Sequence, residues 1–210
     1  MDEQLKSTVS GRMLQYVIYD PAETMSDNAP FSTWLDPGHF LLKRPHLARV
    51  NTIYYYHSSE VCTPACLHTE DRRLSSLNLN IKGDAKVWLI VLPYHKQKLE
   101  EYITTKWRTI KPKCSQFVRH QSMLLTPSAL HQASIDLAVV EQGVGQLLYT
   151  EPDAYHQVLN AGCNVAMATN CQEDARGDGE PRGYKWCKKG QCGTKNDVPL
   201  SEKHFVEARP

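Results

Sequence analysis

Residues 67–103 read LHTEDRRLSSLNLNIKGDAKVWLIVLPYHKQKLEEYI, and their patterning decides the fold. Within them SLNLNIKG (76–83) alternates apolar and polar residues with period two. That predicts a strand with one face buried and one face turned to a cavity or to solvent. KVWLIVLP (86–93) is rich in β-branched and aromatic residues and predicts a second strand. Pro93 then marks a helix start, and Tyr94 to Thr105 carries Leu99, Tyr102 and Ile103 on one face.

Outward from this stretch the same strand signals recur. QYVIYD (15–20) and VNTIYYYHS (50–58) precede it. GQLLYTEP, AYHQVLNAG and CNVAMATN follow it, separated by short Gly or Pro interruptions that fit tight antiparallel turns. Two further short helices are expected, at Lys113 to His120 and Pro127 to Ala133. The predicted fold is mostly β with short helices, a double-stranded β-helix of the jelly-roll or cupin kind. Residues 1–49 are read as an N-terminal strand and loop/helical segment packing on the barrel, 50–173 as the barrel core, and 174–210 as a polar, Gly-rich C-terminal tail.

Composition excludes several classes. The chain has 210 residues, 41% hydrophobic and 22% charged, which suits one soluble globular domain. A formal net charge of +1 argues against a strong general nucleic-acid surface. No apolar run is long enough to span a membrane. The opening MDEQLKSTVSG lacks the apolar segment of a secretory signal. Seven cysteines, without an export signal, favour metal ligation or packing thiols over disulfides; Cys62, Cys66, Cys163 and Cys171 are read as packing thiols. A monomer is expected.

The chemistry is carried by His68-Thr69-Glu70 and the distant His156. Two histidines and one carboxylate hold iron(II) on one face and leave positions open opposite. His68 and Glu70 are two apart, so an extended chain puts both on one side, where burial without a partner is costly. A metal supplies that partner.

With these residues in this order, the chain resembles the JmjC family of iron- and 2-oxoglutarate-dependent oxygenases. Residues 67–103 look like the family's ligand strand, its following strand and its W-x-x-x-x-P-x-H segment. AYHQVLNAGCNVAMATN looks like its distal-histidine strand and the strand after it. The resemblance runs from about residue 50 to 171 and is closest to the branch that demethylates trimethyl-lysine on histone H3. It implies Fe(II) on His68, Glu70 and His156, and 2-oxoglutarate held by Lys86 and Asn78 with Trp88 walling the pocket and Tyr19 completing the carboxylate clamp. Tyr16 is the second choice for that tyrosine. Tyr56, Asn170 and Ala168 fall at positions that shape the methyl-lysine channel, where aromatic and oxygen-lined cages suit methylammonium groups.

The same branch carries a Cys-x5-His, here Cys114 and His120, and a cysteine pair after the barrel, here Cys187 and Cys192. Together they would form a closed Cys3His zinc site pinning the tail. Two departures stand out. Ala65 occupies a place where the family usually has a large aromatic, and Gln121 replaces a basic residue. The implied activity is demethylation of methyl-lysine on the histone H3 tail by N-methyl hydroxylation, with release of formaldehyde and succinate, in the nucleus. Two alternatives stay open: a hydroxylase of a non-histone protein, and a weakly active or non-catalytic chromatin-binding module.

Overall fold

The structure, a computed structural model, describes residues 34–173, 182–188 and 205, together with the backbone of 17–19. Among the described residues the strands are β1 (Val17–Tyr19), β2 (Tyr54–Ser58), β3 (Pro64–His68), β4 (Ser75–Gly83), β5 (Lys86–Val91), β6 (Leu137–Gln142), β7 (Leu147–Thr150), β8 (Tyr155–Asn160) and β9 (Asn164–Cys171). Three α-helices accompany them: α1 (His39–Leu42), α2 (Lys96–Lys106) and α3 (Pro127–Gln132). None is long and apolar enough to cross a membrane.

Two antiparallel sheets result, ordered β1-β2-β9-β4-β7 and β3-β8-β5-β6. From β2 onward the chain steps between them, turning back within one sheet only at β5 to β6. This alternation builds a β-sandwich of the expected jelly-roll kind. Gly83 makes the sharp β4–β5 turn. Its φ is +95°, and a Cβ there would collide with the backbone oxygen of Cys163.

Helices α2 and α3 cover the outer face of the four-stranded sheet. Leu67, Leu89, Val91 and Tyr155 meet Leu99 and Ile103 of α2 and Leu130 of α3 in the largest core cluster. Each fully buried Leu or Ile contributes about 1.5–3 kcal/mol. On the inner face Trp88 and Val158 pack against Leu148 of the other sheet. A third cluster joins Phe40, Leu41, Leu47, Val50 and Leu74 to Phe205, with Trp186 against it, so the segment before β2 and parts of the tail share one apolar patch.

Several expectations are adjusted. In β4 the polar residues Ser76, Asn78 and Asn80 are the buried ones, while Leu77, Leu79 and Ile81 are half-buried. The inner face of this strand therefore serves a polar interior. The expected helix at Lys113 to His120 is a run of turns ending in a 3-10 turn at Arg119–Gln121. There Ser115 N donates to Lys185 O, a partner outside the segment that no helix would provide. Strand β6 had no signal, because it lies at a sheet edge and exposes Val139 and Val140 instead of alternating.

Candidate active site

His68 ends β3 and His156 lies on β8, where the two are paired directly across neighbouring strands. A one-residue irregularity makes this possible. Ala65 opposes Val158, yet His68 opposes His156, so β3 carries one residue more than β8 over this span. Such a bulge re-aims the side chains that follow it. Leu67 is thereby sent into the helix-covered core, and His68 turns into the space between the sheets. Glu70, two residues on, is still extended (φ −68°, ψ 151°) and reaches the same point.

The three donors converge. Glu70 Oε1 lies 3.4 Å from His156 Nε2 and 4.0 Å from His68 Nε2. The imidazole centroids are 4.3 Å apart. Both Nδ1 atoms sit on backbone carbonyls, His68 on Cys66 O at 2.6 Å and His156 on Ala154 O at 3.0 Å. Those bonds place the proton on Nδ1 and leave both Nε2 lone pairs aimed at the carboxylate, the arrangement of metal-binding histidines. Asn170 Nδ2 donates to Glu70 Oε2 at 2.8 Å, fixing the carboxylate from behind. Burial and then the nearby His156 hold His68 down to about 3, so its ring is neutral at pH 7. Burial alone would raise the Glu70 carboxyl. The contacts with His156 and His68 and the Asn170 amide outweigh it and hold Glu70 below its ordinary range. A neutral His68 ring and an ionised Glu70 carboxylate are protonation states that metal ligands require.

Around this point lies a cleft lined also by Tyr54, Tyr56, Ala65, Asn78, Lys86, Trp88 and Ala168. Lys86 is fully buried. Its Nζ donates to Asn160 Oδ1 at 2.9 Å and stands 5.6 Å from the Tyr56 ring centroid. Burial lowers it to about 7, a tension that an anionic ligand would relieve. Asn78 Oδ1 is buried with no hydrogen-bond partner. A buried lysine amine in the cleft fits a bound carboxylate. Trp88 shares the Lys86 face and donates from Nε1 to Gln142 Oε1 at 2.8 Å. Tyr56 is raised by burial to about 12 and donates to Tyr54 OH at 3.3 Å.

A second cluster lies apart from the cleft. Cys114 Sγ and Cys187 Sγ are each 3.3 Å from His120 Nε2 and 3.5 Å from each other. Two sulfurs and one imidazole suit zinc. Cys192, the expected fourth ligand, lies outside the described residues. The six described cysteines form no disulfide.

Of the residues singled out from sequence, His68, Glu70, His156, Asn78, Lys86, Trp88, Tyr56 and Ala168 all border one cleft. Asn170 is spent on Glu70 and on Ser75 O. Tyr19 lies opposite Tyr55 in the backbone register of β1, and its side chain, like Tyr16, lies outside the described residues. Tyr54, one of the run Tyr54 to Tyr56 that the resemblance sets along the methyl-lysine channel, lines the cleft beside Tyr56, as period two requires. Sequence reasoning passed over Asn160, which shares a face of β8 with His156.

Comparison with known proteins agrees with this geometry. The probable lysine-specific demethylase 4F of Homo sapiens is 36% identical over 121 residues, which are 58% of this chain and 19% of that protein. Lysine-specific demethylase 4B of Mus musculus is 34% identical over the same share of this chain and 11% of its own. Lysine-specific demethylase 4D of Rattus norvegicus is also 34% identical, over 24% of its length. The match to each of these relatives thus spans less than a quarter of its length. The model of the JmjC domain, hydroxylase, matches residues 54–171, the span that holds β2 to β9 and every residue of the cleft, and the chain belongs to that family.

Proposed function

We propose that this protein is an Fe(II)- and 2-oxoglutarate-dependent dioxygenase that demethylates methyl-lysine on histone H3. One observation carries the reading: a fully buried lysine shares a cleft with a His, Glu, His cluster whose donor atoms converge. The naming of the relatives as lysine-specific demethylases supports the substrate class.

In this reading His68, Glu70 and His156 hold the iron, and Asn170 keeps Glu70 oriented. Lys86 and Asn78 hold the cosubstrate carboxylate, Trp88 walls its pocket, and Tyr19 adds a contact from the first strand. Tyr56, with Tyr54 beside it, and Ala168 border the entry of the methylated lysine. Bound iron with 2-oxoglutarate and oxygen supplies the oxidation that hydroxylates an N-methyl group, yielding succinate, carbon dioxide and, from the hydroxylated methyl, formaldehyde. The protein orients the reactants and excludes water from the cleft. Cys114, His120 and Cys187, with Cys192 as fourth ligand, hold a zinc ion that pins the tail. Residues 50–173 form the catalytic barrel, flanked by a packing segment (1–49) and the tail (174–210). A histone substrate places the protein in the nucleus.

The test is direct. Iron-loaded protein is incubated with 2-oxoglutarate and H3 peptides bearing one, two or three methyl groups. Succinate, formaldehyde and peptide mass are measured. Peptide-dependent succinate with loss of methyl mass is expected. Succinate no higher than that of His68→Ala would end the dioxygenase reading. Addition of one oxygen with every methyl retained would replace demethylation by stable hydroxylation.

A further inference from the structure

The segment Glu70–Arg73 is an unusual foundation for a metal ligand. Directly after Glu70 the backbone makes a short 3-10 turn in which Arg72 (φ 53°) and Arg73 (φ 57°) both adopt the left-handed conformation. Neither is glycine, so both conformations are strained and depend on support from around the turn.

Three groups from the thiol cluster's own chain segments grip it. Gln116, two residues after Cys114, is buried and donates from Nε2 to the backbone oxygen of Glu70 at 3.0 Å. Arg119, next to His120, donates to Asp71 Oδ2 at 2.9 Å. Tyr184, three residues before Cys187, accepts from the backbone N–H of Arg72 through its hydroxyl at 3.0 Å, and from Gln116 Nε2 at 3.4 Å. Residues 70, 71 and 72 are thus each held by a side chain from one side of the cluster. The two sides are laced by Ser115 N to Lys185 O and by Lys185 N to Ser115 Oγ, both 2.8 Å.

We propose that Gln116 and Tyr184 are positioning residues for Glu70, so that their own bonds to the Glu70–Arg72 turn set the affinity of the His68, Glu70, His156 site for its metal. The inference rests on the proposed metal-binding role of those three residues. The bonds to residues 70 and 72 are made to backbone atoms, so they act on where the carboxylate stands and not on its chemistry. Arg119 contributes least, since its pair with Asp71 is solvent-exposed.

The full chain, with zinc supplied first to fill the thiol cluster, is titrated with Co(II) in place of iron. Affinity and the visible d–d bands are recorded for wild type, Tyr184→Phe, Gln116→Met and His68→Ala, with thermal midpoint and zinc content alongside. Tyr184→Phe and Gln116→Met are expected to weaken Co(II) about tenfold, the scale of losing an outer partner of a ligand, and to shift the bands. Zinc content should stay at the wild-type value. Unchanged Co(II) affinity and spectrum in a folded Tyr184→Phe protein would overturn the proposal, and Gln116→Met decides if that variant fails to fold. Loss of zinc in step with Co(II) would also overturn it, because tail release and not the bonds to the turn would then be the cause. If His68→Ala binds Co(II) as tightly as wild type, the ligand set itself is wrong and this inference falls with it.

Discussion

The two donor clusters are assembled in opposite ways. His68 and His156 stand on adjacent, hydrogen-bonded strands, with each ring fixed by a carbonyl two residues before it. Cys114 and His120 sit on a run of turns and Cys187 on a tail segment, with no strand pairing between them. The first cluster is built by the sheet before any ion arrives. The second brings together a run of turns and a tail segment that hydrogen bonds and packing join but no sheet does, so there an ion would contribute to folding itself. Rigid strands suit a site that must keep coordination positions open, whereas a closed site can be completed by the metal it binds.

The largest effect that tests this contrast is His68→Ala. Succinate formation should fall by at least about a hundredfold, taking the cost of losing a mere outer partner as the floor. The far-ultraviolet spectrum and thermal midpoint should change little, because the sheet does not depend on the ring. A large drop in midpoint would show that the donor holds the sandwich together, and the contrast would collapse.

Next is Lys86→Met, which keeps the length of the side chain and removes its charge. Losing a charged hydrogen bond costs about 1.5–3 kcal/mol, so the KM for 2-oxoglutarate should rise roughly ten- to hundredfold. A pH signature accompanies it. Burial lowers Lys86 to about 7, and a bound dicarboxylate raises it again. Above pH 7 the free protein therefore takes up a proton when it binds the cosubstrate, and apparent affinity falls by up to about tenfold per pH unit. Calorimetry in buffers of different ionisation enthalpy measures that uptake. An affinity flat between pH 7 and 8.5 would place the carboxylate elsewhere.

Cys114→Ser should show the reverse of His68→Ala. Its midpoint should fall by about 5–10 °C, since each kcal/mol moves a domain of this size by about 2–4 °C. Zinc, measured by release to a chromogenic chelator, should drop. A Cys114→Ser protein with unaltered midpoint and zinc would mean that the thiols are only packing residues.

The parts of this contrast that were legible in sequence follow simple periodicities. Lys86 and Trp88, two apart on one strand, and the alternation of SLNLNIKG announced an inner face, and the spacing of His68 to Glu70 announced a shared side. The bulge was not legible. Strict alternation from Ala65 would have sent Leu67, not His68, into the cleft, and only the β8 register and the Leu67 N–H bond to Met123 O show why it does not. The left-handed pair Arg72 and Arg73 was equally hidden, because arginine carries no signal for that conformation. The same holds for Gln116 and Tyr184, whose roles come from contacts across 46 and 112 residues. Local spacing marks which side chains share a face, and it is silent on what braces them from far along the chain.

The smallest effect separates stability from both sites. Thr126 caps α3, its Oγ1 accepting from Ala129 N at 3.2 Å, and Pro127 follows at the first helical position. Thr126→Ala should cost about 1 kcal/mol, as loss of an N-cap does. The midpoint should therefore fall by about 2–4 °C. Because α3 covers the outer face of the sheet, away from the cleft, turnover and zinc content should match wild type at a temperature well below the midpoint. A turnover that fell along with the midpoint would mean that the cleft senses global stability. The selective losses predicted for the other variants would then no longer distinguish a rigid site from one that its own metal assembles.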